Sequence, residues 1–228
     1  MAVLTITADY DGEIEYAVSA GTYTKADTLD HISVGYDSKG NTIYRGFLRF
    51  PLGALPANAQ ISQVRLYVYC STAASSTHLT DVHAYGSAGQ EDPQSDDAQT
   101  VYNRCASGNL YVDDSTALRT TGDKWFVLGG SVIQDLLNAK NAVNRFSLAF
   151  HEEGDNDGWA GLASLENTSY PYPAKLEITY VSEAVKCVGD SFTWVVVTAI
   201  FKPFRRILFK AKGLLVSILS FLKCSARL

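Results

Sequence analysis

RLYVYC, residues 65–70, alternates without a break: Leu66, Val68 and Cys70 fall on one side of an extended chain, and Arg65, Tyr67 and Tyr69 on the other. Successive side chains in a strand point to opposite faces, so the pattern predicts a strand with one buried face. LEITYV, residues 176–181, repeats it near the other end of the same body. Working outward, short β-type runs recur at 3–7, 13–18, 32–36, 43–50, 63–70, 80–85, 124–128, 145–151, 161–165 and 175–181, with Gly, Asn, Asp and Pro between them. Many short strands separated by such residues read as an antiparallel sandwich or barrel. SKGN (38–41) is a tight turn between two of them.

One helix interrupts the strands. Ser131 is positioned as N-cap for 132–139, with Val132, Ile133, Leu136 and Leu137 spaced for one buried face. The stretch from 86 to 123 is polar and weakly patterned, and QEDPQSDDAQ (90–99) reads as a solvated loop. No internal repeat is present. Thirteen Tyr, ten Phe and three Trp add to the strand bias. A chain of 228 residues can bury a sizeable core as one all-β domain.

The net charge of −5 conceals two blocks. Residues 185–228 hold eight Lys and Arg against one acid, Asp190, a balance of +7. The rest carries eleven basic and twenty-three acidic residues, or −12. Such opposed blocks are expected to meet different surroundings, giving a body over 1–182 and a basic tail over 183–228. So acidic a body is a poor nucleic-acid surface, because phosphates need basic neutralisation. MAVLTITADYDGEIEY (1–16) has no basic region and no continuous apolar run, so no Sec signal is expected. Cys70, Cys105, Cys187 and Cys224 lack metal-ligand spacing and are expected as free thiols.

From 11 to 180 the order of features resembles the DNRLRE, or disaggregatase-related, β-sandwich domains, which include carbohydrate-binding modules. The residues that carry the likeness are YRGFLRFPLGALPANAQISQVRLYVY (44–69), SVIQDLLNAKNAVNRFSLAF (131–150) and ASLENTSYPYPAKLEITY (163–180). The resemblance implies an all-β, antiparallel jelly-roll β-sandwich with one short helix, serving as a non-catalytic surface module. It also places Arg45 and Glu166 at matching charged positions. A charge within an apolar strand needs a partner, so these two are expected to pair or to take backbone hydrogen bonds.

Several groups are candidate sites. Trp159, Tyr170 and Tyr172 lie in Gly-, Pro- and Asn-rich stretches, where flat rings could stack on the apolar faces of a glycan or simply pack at the rim. Trp125 and Phe126 precede the helix and are expected to pack beneath it. Glu152, Glu153, Asp155 and Asp157 crowd HEEGDNDGW; such oxygen-rich loops suit calcium, although solvated turn acids are the plainer reading. Asp9, Asp11 and Glu13 invite the same two readings. Asp81 and His83 share a strand face and could hold a metal if a third ligand came from elsewhere, but the sequence identifies none. His31, His78, His83 and His151 are otherwise scattered, and no hydrolase or metalloprotease motif occurs, so no enzyme is expected.

The tail completes the picture. FTWVVVTAIF (192–201) is too short to span a bilayer as a helix and reads as a strand. After Pro203, Phe204, Ile207, Leu208, Ala211, Leu215, Ile218, Leu219 and Leu222 recur at helical spacing, with Arg205, Arg206, Lys210 and Lys212 mainly off that stripe. A basic amphipathic helix docks on an acidic protein face or lies on an anionic membrane. The first reading predicts a homo-oligomer or larger assembly, the second a membrane surface. Together the features point to a structural or adhesive surface protein, such as a virion decoration or fibre component, on a virion or cell exterior. The competing class is a soluble carbohydrate-binding module beside a polysaccharide-degrading enzyme.

Overall fold

The computed structural model describes residues 1–152 and 158–182. Chain contacts divide the molecule into two units, Met1–Ser182 and Glu183–Leu228. Glu153, Asp155, Asp157 and the whole tail helix proposed above, from Phe204 to Leu222, lie outside the described residues.

Twelve strands form the first unit: β1 (Ala2–Thr7), β2 (Tyr10–Ala17), β3 (Thr22–Ala26), β4 (His31–Asp37), β5 (Thr42–Pro51), β6 (Ala59–Thr72), β7 (Thr80–Ala84), β8 (Leu110–Ser115), β9 (Gly122–Leu128), β10 (Arg145–Glu152), β11 (Gly158–Ala163) and β12 (Lys175–Ser182). Two short helices, α1 (Ala98–Arg104) and α2 (Val132–Ala142), join them. All pairings are antiparallel and run β1-β12-β6-β11-β4-β5-β10-β7-β8, with β2 beside β5 and β3, and β9 beside β6. The sheet curls strongly into a half-barrel.

Alternation decides what fills the curl. Leu66, Val68 and Cys70 of β6 point inward and meet Leu48 and Phe50 of β5, Phe146, Leu148 and Phe150 of β10, and Leu176 and Ile178 of β12. From α2, Val132, Leu136 and Ala139 join the same cluster, while Ile133 and Leu137 are only half-buried. Ser131 does not cap the helix backbone; its hydroxyl donates to Asp135 Oδ2 at 2.5 Å. The β4–β5 turn falls where SKGN predicts, and Asn41 takes the left-handed conformation (φ 52°) that asparagine tolerates well.

The segment after β7 departs from expectation in part. Residues 90–97 are loop, as composition predicts for 90–99, but they are pinned to the sheet, and the weakly patterned stretch that follows contains α1 and β8. Asp97 caps α1 by accepting from Thr100 N at 3.0 Å. Pro93 is buried, and Lys25 Nζ donates to the carbonyls of Pro93, Gln94 and Asp96 at 2.9, 3.2 and 3.1 Å. Arg49 reaches Asp92 and Gln94 at 2.9 Å each. These bonds draw a polar sequence down onto the outside of β2, β5 and β10. Between it and those strands sits a second apolar cluster, with Tyr85, Val101 and Cys105 from the segment and Ile14, Phe47 and Ala149 from the strands. Cys70 and Cys105 are free and buried, and burial pushes the Cys105 thiol up to about 12.

Candidate functional site

Outward-facing residues of β6 and β9 build the most exposed aromatic surface of the described unit. Register places Tyr67 opposite Trp125 and Arg65 opposite Val127, while Lys175 of β12 flanks Tyr67 on the other side. Cross-strand partners share a face, so these side chains form rows. The Tyr67 and Trp125 rings meet at 5.0 Å between centroids, and Arg65 lies 4.1 Å from the Trp125 ring centre. Trp125 is 44% exposed and Val127 60%.

Tyr69, two residues along β6 on the same side, extends the strip. It stacks on Tyr170 and meets Tyr172 at a tilt, each at 5.1 Å. Both tyrosines are exposed and sit on a fixed loop. Tyr170 N donates to Asn167 Oδ1 at 2.6 Å, Tyr172 N donates to the Tyr170 carbonyl at 2.7 Å, and Pro171 and Pro173 restrict the remaining backbone. The loop's base is anchored too. Asp11 Oδ2 accepts from Leu165 N at 2.9 Å, and Ser164 Oγ donates to the Leu29 carbonyl at 2.6 Å. Apolar ring faces are thus bordered by Arg65, Lys175, Asp123 and Glu177. Asp123 holds the Tyr67 hydroxyl at 2.7 Å, and burial together with that bond raises the Tyr67 pKa. Rigid aromatic rings with polar groups at their edges are the chemistry that recognises sugars.

Of the predicted glycan-contact residues, Tyr170 and Tyr172 belong to this strip. Trp159 does not join them; it packs with His31 and Tyr44, at 6.1 and 6.3 Å, on the β4–β11 face. Trp125 is corrected from a residue beneath the helix to a surface residue. Adjacent strand positions face opposite ways, so only Phe126 enters the core, where it meets Phe150. Tyr67, Tyr69 and Trp125 were legible all along: the alternation that buries Leu66, Val68 and Phe126 turns these three outward.

The remaining predicted residues have other settings. Arg45 donates to the Tyr102 carbonyl at 2.7 Å and lies 3.7 Å over the Tyr102 ring. Glu166 is exposed, and no ion pair joins it to Arg45 among the described residues. Glu152 is buried beside His78, with its Oε1 3.3 Å from Nδ1. The N-terminal acids do not converge. Asp9 pairs with Arg49 at 2.9 Å, Asp11 holds Leu165, and Glu13 accepts from Ser33 N. Burial raises Asp11 to about 7 and raises Glu13 as well. No helix among the described residues is long and apolar enough to cross a membrane. Comparison with known protein families and with curated protein sequences finds no match to this chain.

Proposed function

We propose that the first unit is a non-catalytic jelly-roll β-sandwich that binds glycan through the strip formed by Trp125, Tyr67, Tyr69, Tyr170 and Tyr172. The observation carrying this reading is a row of touching rings in which Trp125, Tyr170 and Tyr172 are exposed, backed by the buried Tyr67 and the half-buried Tyr69, on a rigid strand pair and a loop held by its own hydrogen bonds. Exposed apolar groups rimmed by polar ones mark interaction surfaces, and preorganised rings lose little entropy when they stack on a ligand. Such a module suits a structural or adhesive protein at a virion or cell surface, with copies joined through the basic segment 183–228. The same strip would serve a module working beside a polysaccharide-degrading enzyme, and neighbouring genes separate the two settings.

The test is retardation of the purified protein in gels containing individual polysaccharides, followed by titration of any hit. Trp125→Ala and Tyr172→Ala are expected to weaken binding by about tenfold each, the loss of roughly 1–1.5 kcal/mol that one aromatic contact supplies. Unchanged affinity in the double variant would remove the strip from the site.

A further inference from the structure

A different group of side chains occupies the outside of β7 and β10. Val82 and Ala84 point into the core from β7, as do Leu148 and Phe150 from β10. Asp81, His83 and His151 therefore face the other way. Register sets His151 opposite Asp81 and Ala149 opposite His83, so His83 lies on the diagonal from His151. One donor atom from each of the three lies within 4.8 Å of the other two. The imidazoles meet edge to face, 5.8 Å between centroids and 80° between planes. The third residue missing from the Asp81–His83 pair in the sequence is supplied by the neighbouring strand.

Outer contacts aim these donors. His83 Nδ1 lies 3.2 Å from the Gly108 carbonyl, which only accepts, so in the neutral ring the proton sits on Nδ1 and Nε2 keeps its lone pair. Gly108 must be glycine for that carbonyl to come so close, since a Cβ there would fall 1.9 Å from the Ala84 carbonyl oxygen. Asp114 N donates to Asp81 Oδ1 at 2.9 Å, which leaves Oδ2 to face the imidazole. His83 is only 9% exposed, and its Nε2 is buried without a hydrogen-bond partner. It stands 3.6 Å from Asp81 Oδ2, beyond the length of a hydrogen bond. A buried lone pair facing a carboxylate oxygen is repulsive, so a positive charge belongs between them: the proton of a His83–Asp81 ion pair, or a metal ion in its place.

We infer that Asp81, His83 and His151 bind a divalent transition-metal ion of the zinc class, with a fourth position left for water. Two imidazole nitrogens and one carboxylate oxygen suit zinc and its neighbours and are a poor match for calcium or magnesium, which take oxygen. Metal–ligand bonds of about 2.0–2.2 Å set tetrahedral donors roughly 3.3–3.6 Å apart, the range in which His83 and Asp81 already stand. The Gly108 carbonyl on the far nitrogen of His83 is the outer partner that metal-bound histidines require. Arg45 lies on this same side and its charge opposes a cation, but its guanidinium is turned to Tyr102, and Asp81 supplies the compensating negative charge. The ion would tie β7 to β10 and, through Gly108, to the segment that covers the second apolar cluster.

The test uses the full chain without a polyhistidine tag, stripped with chelator and titrated with zinc by calorimetry and with cobalt by visible absorption. The expected result is one saturable zinc site per chain, a higher melting temperature with zinc, and the absorption bands of low-coordinate cobalt. His83→Gln and His151→Gln should each lower zinc affinity on the order of 100-fold, at least the loss caused by removing an outer partner. His151 is half-buried, so its variant keeps the test open should His83→Gln fail to fold. Absence of saturable zinc binding would overturn the assignment, as would undiminished affinity in folded His151→Gln. So would an equal thermal response to calcium, which would point to the neighbouring carboxylates of Asp113 and Asp114. If a proton bridges His83 and Asp81 instead, zinc has no effect and stability alone follows pH.

Discussion

The outside of the curled sheet is treated in two ways. Over β2, β5 and β10 the segment following β7 folds back, and Ile14, Phe47 and Ala149 are fully buried beneath it. Over β6 and β9 Tyr67 is buried among its neighbours, but among the described residues no connection lies over Trp125 and Val127, which stand in the open. Both faces carry aromatic and aliphatic side chains at alternate positions. The difference lies in where a long connection lands, and the connection is held by polar bonds from Lys25, Arg49 and Tyr85 to a segment poor in apolar residues. An apolar outer face is therefore informative only where no other part of the chain reaches it.

The largest effect should come from breaking the covered face. Phe47→Ala removes a ring that contacts Tyr10 and Tyr85, and a loss of about 3–5 kcal/mol is expected in urea unfolding. Arg45→Ala deletes a charged hydrogen bond and a cation–ring contact beneath α1, and should cost about 2 kcal/mol in the same assay.

A third measurement probes the loop that carries Tyr170 and Tyr172. Burial raises Asp11 to about 7, above the ~3.9 of an unfolded aspartate, so the folded state holds more protons between those values. Its stabilising contribution is complete below about pH 4 and fades as pH rises through about 7. Asp11→Asn, which keeps an acceptor for Leu165 N, should gain on the natural protein across that interval, by on the order of 1–2 kcal/mol. Melting temperatures of the pair at matched pH values check the sign. The smallest effect belongs to the bare face, where Trp125→Ala should change stability by less than about 1 kcal/mol. A loss as large as that of Phe47→Ala would mean that the two faces are not different in kind.

How far the sequence could be read follows the same division. The ten strands with apolar alternation were legible, because one face of each enters the core. TYTKA in β3 was not: it pairs only with β2 and has no buried residue to impose a pattern. α1 buries Val101 alone, so no helical stripe marks it, and LYVDDS in β8 turns polar after three residues. In the aromatic strip, Tyr67, Tyr69 and Trp125 follow from alternation, whereas their meeting with Tyr170 and Tyr172 depends on the course of a loop. The position of His151 beside Asp81 depends on the β7–β10 register, which no local pattern encodes.

The pairing of β1 with β12 has a mechanical consequence. Ala2 lies opposite Tyr180, and Thr7 opposite Lys175, so the first strand starts at the end of the sheet where the last strand finishes. Tension applied between those two ends would peel the ladder one hydrogen bond at a time, where a staggered pair pulled lengthwise would load all its bonds together. The unit should yield at low force when stretched from its two ends and resist far better when gripped at one end and at the aromatic face.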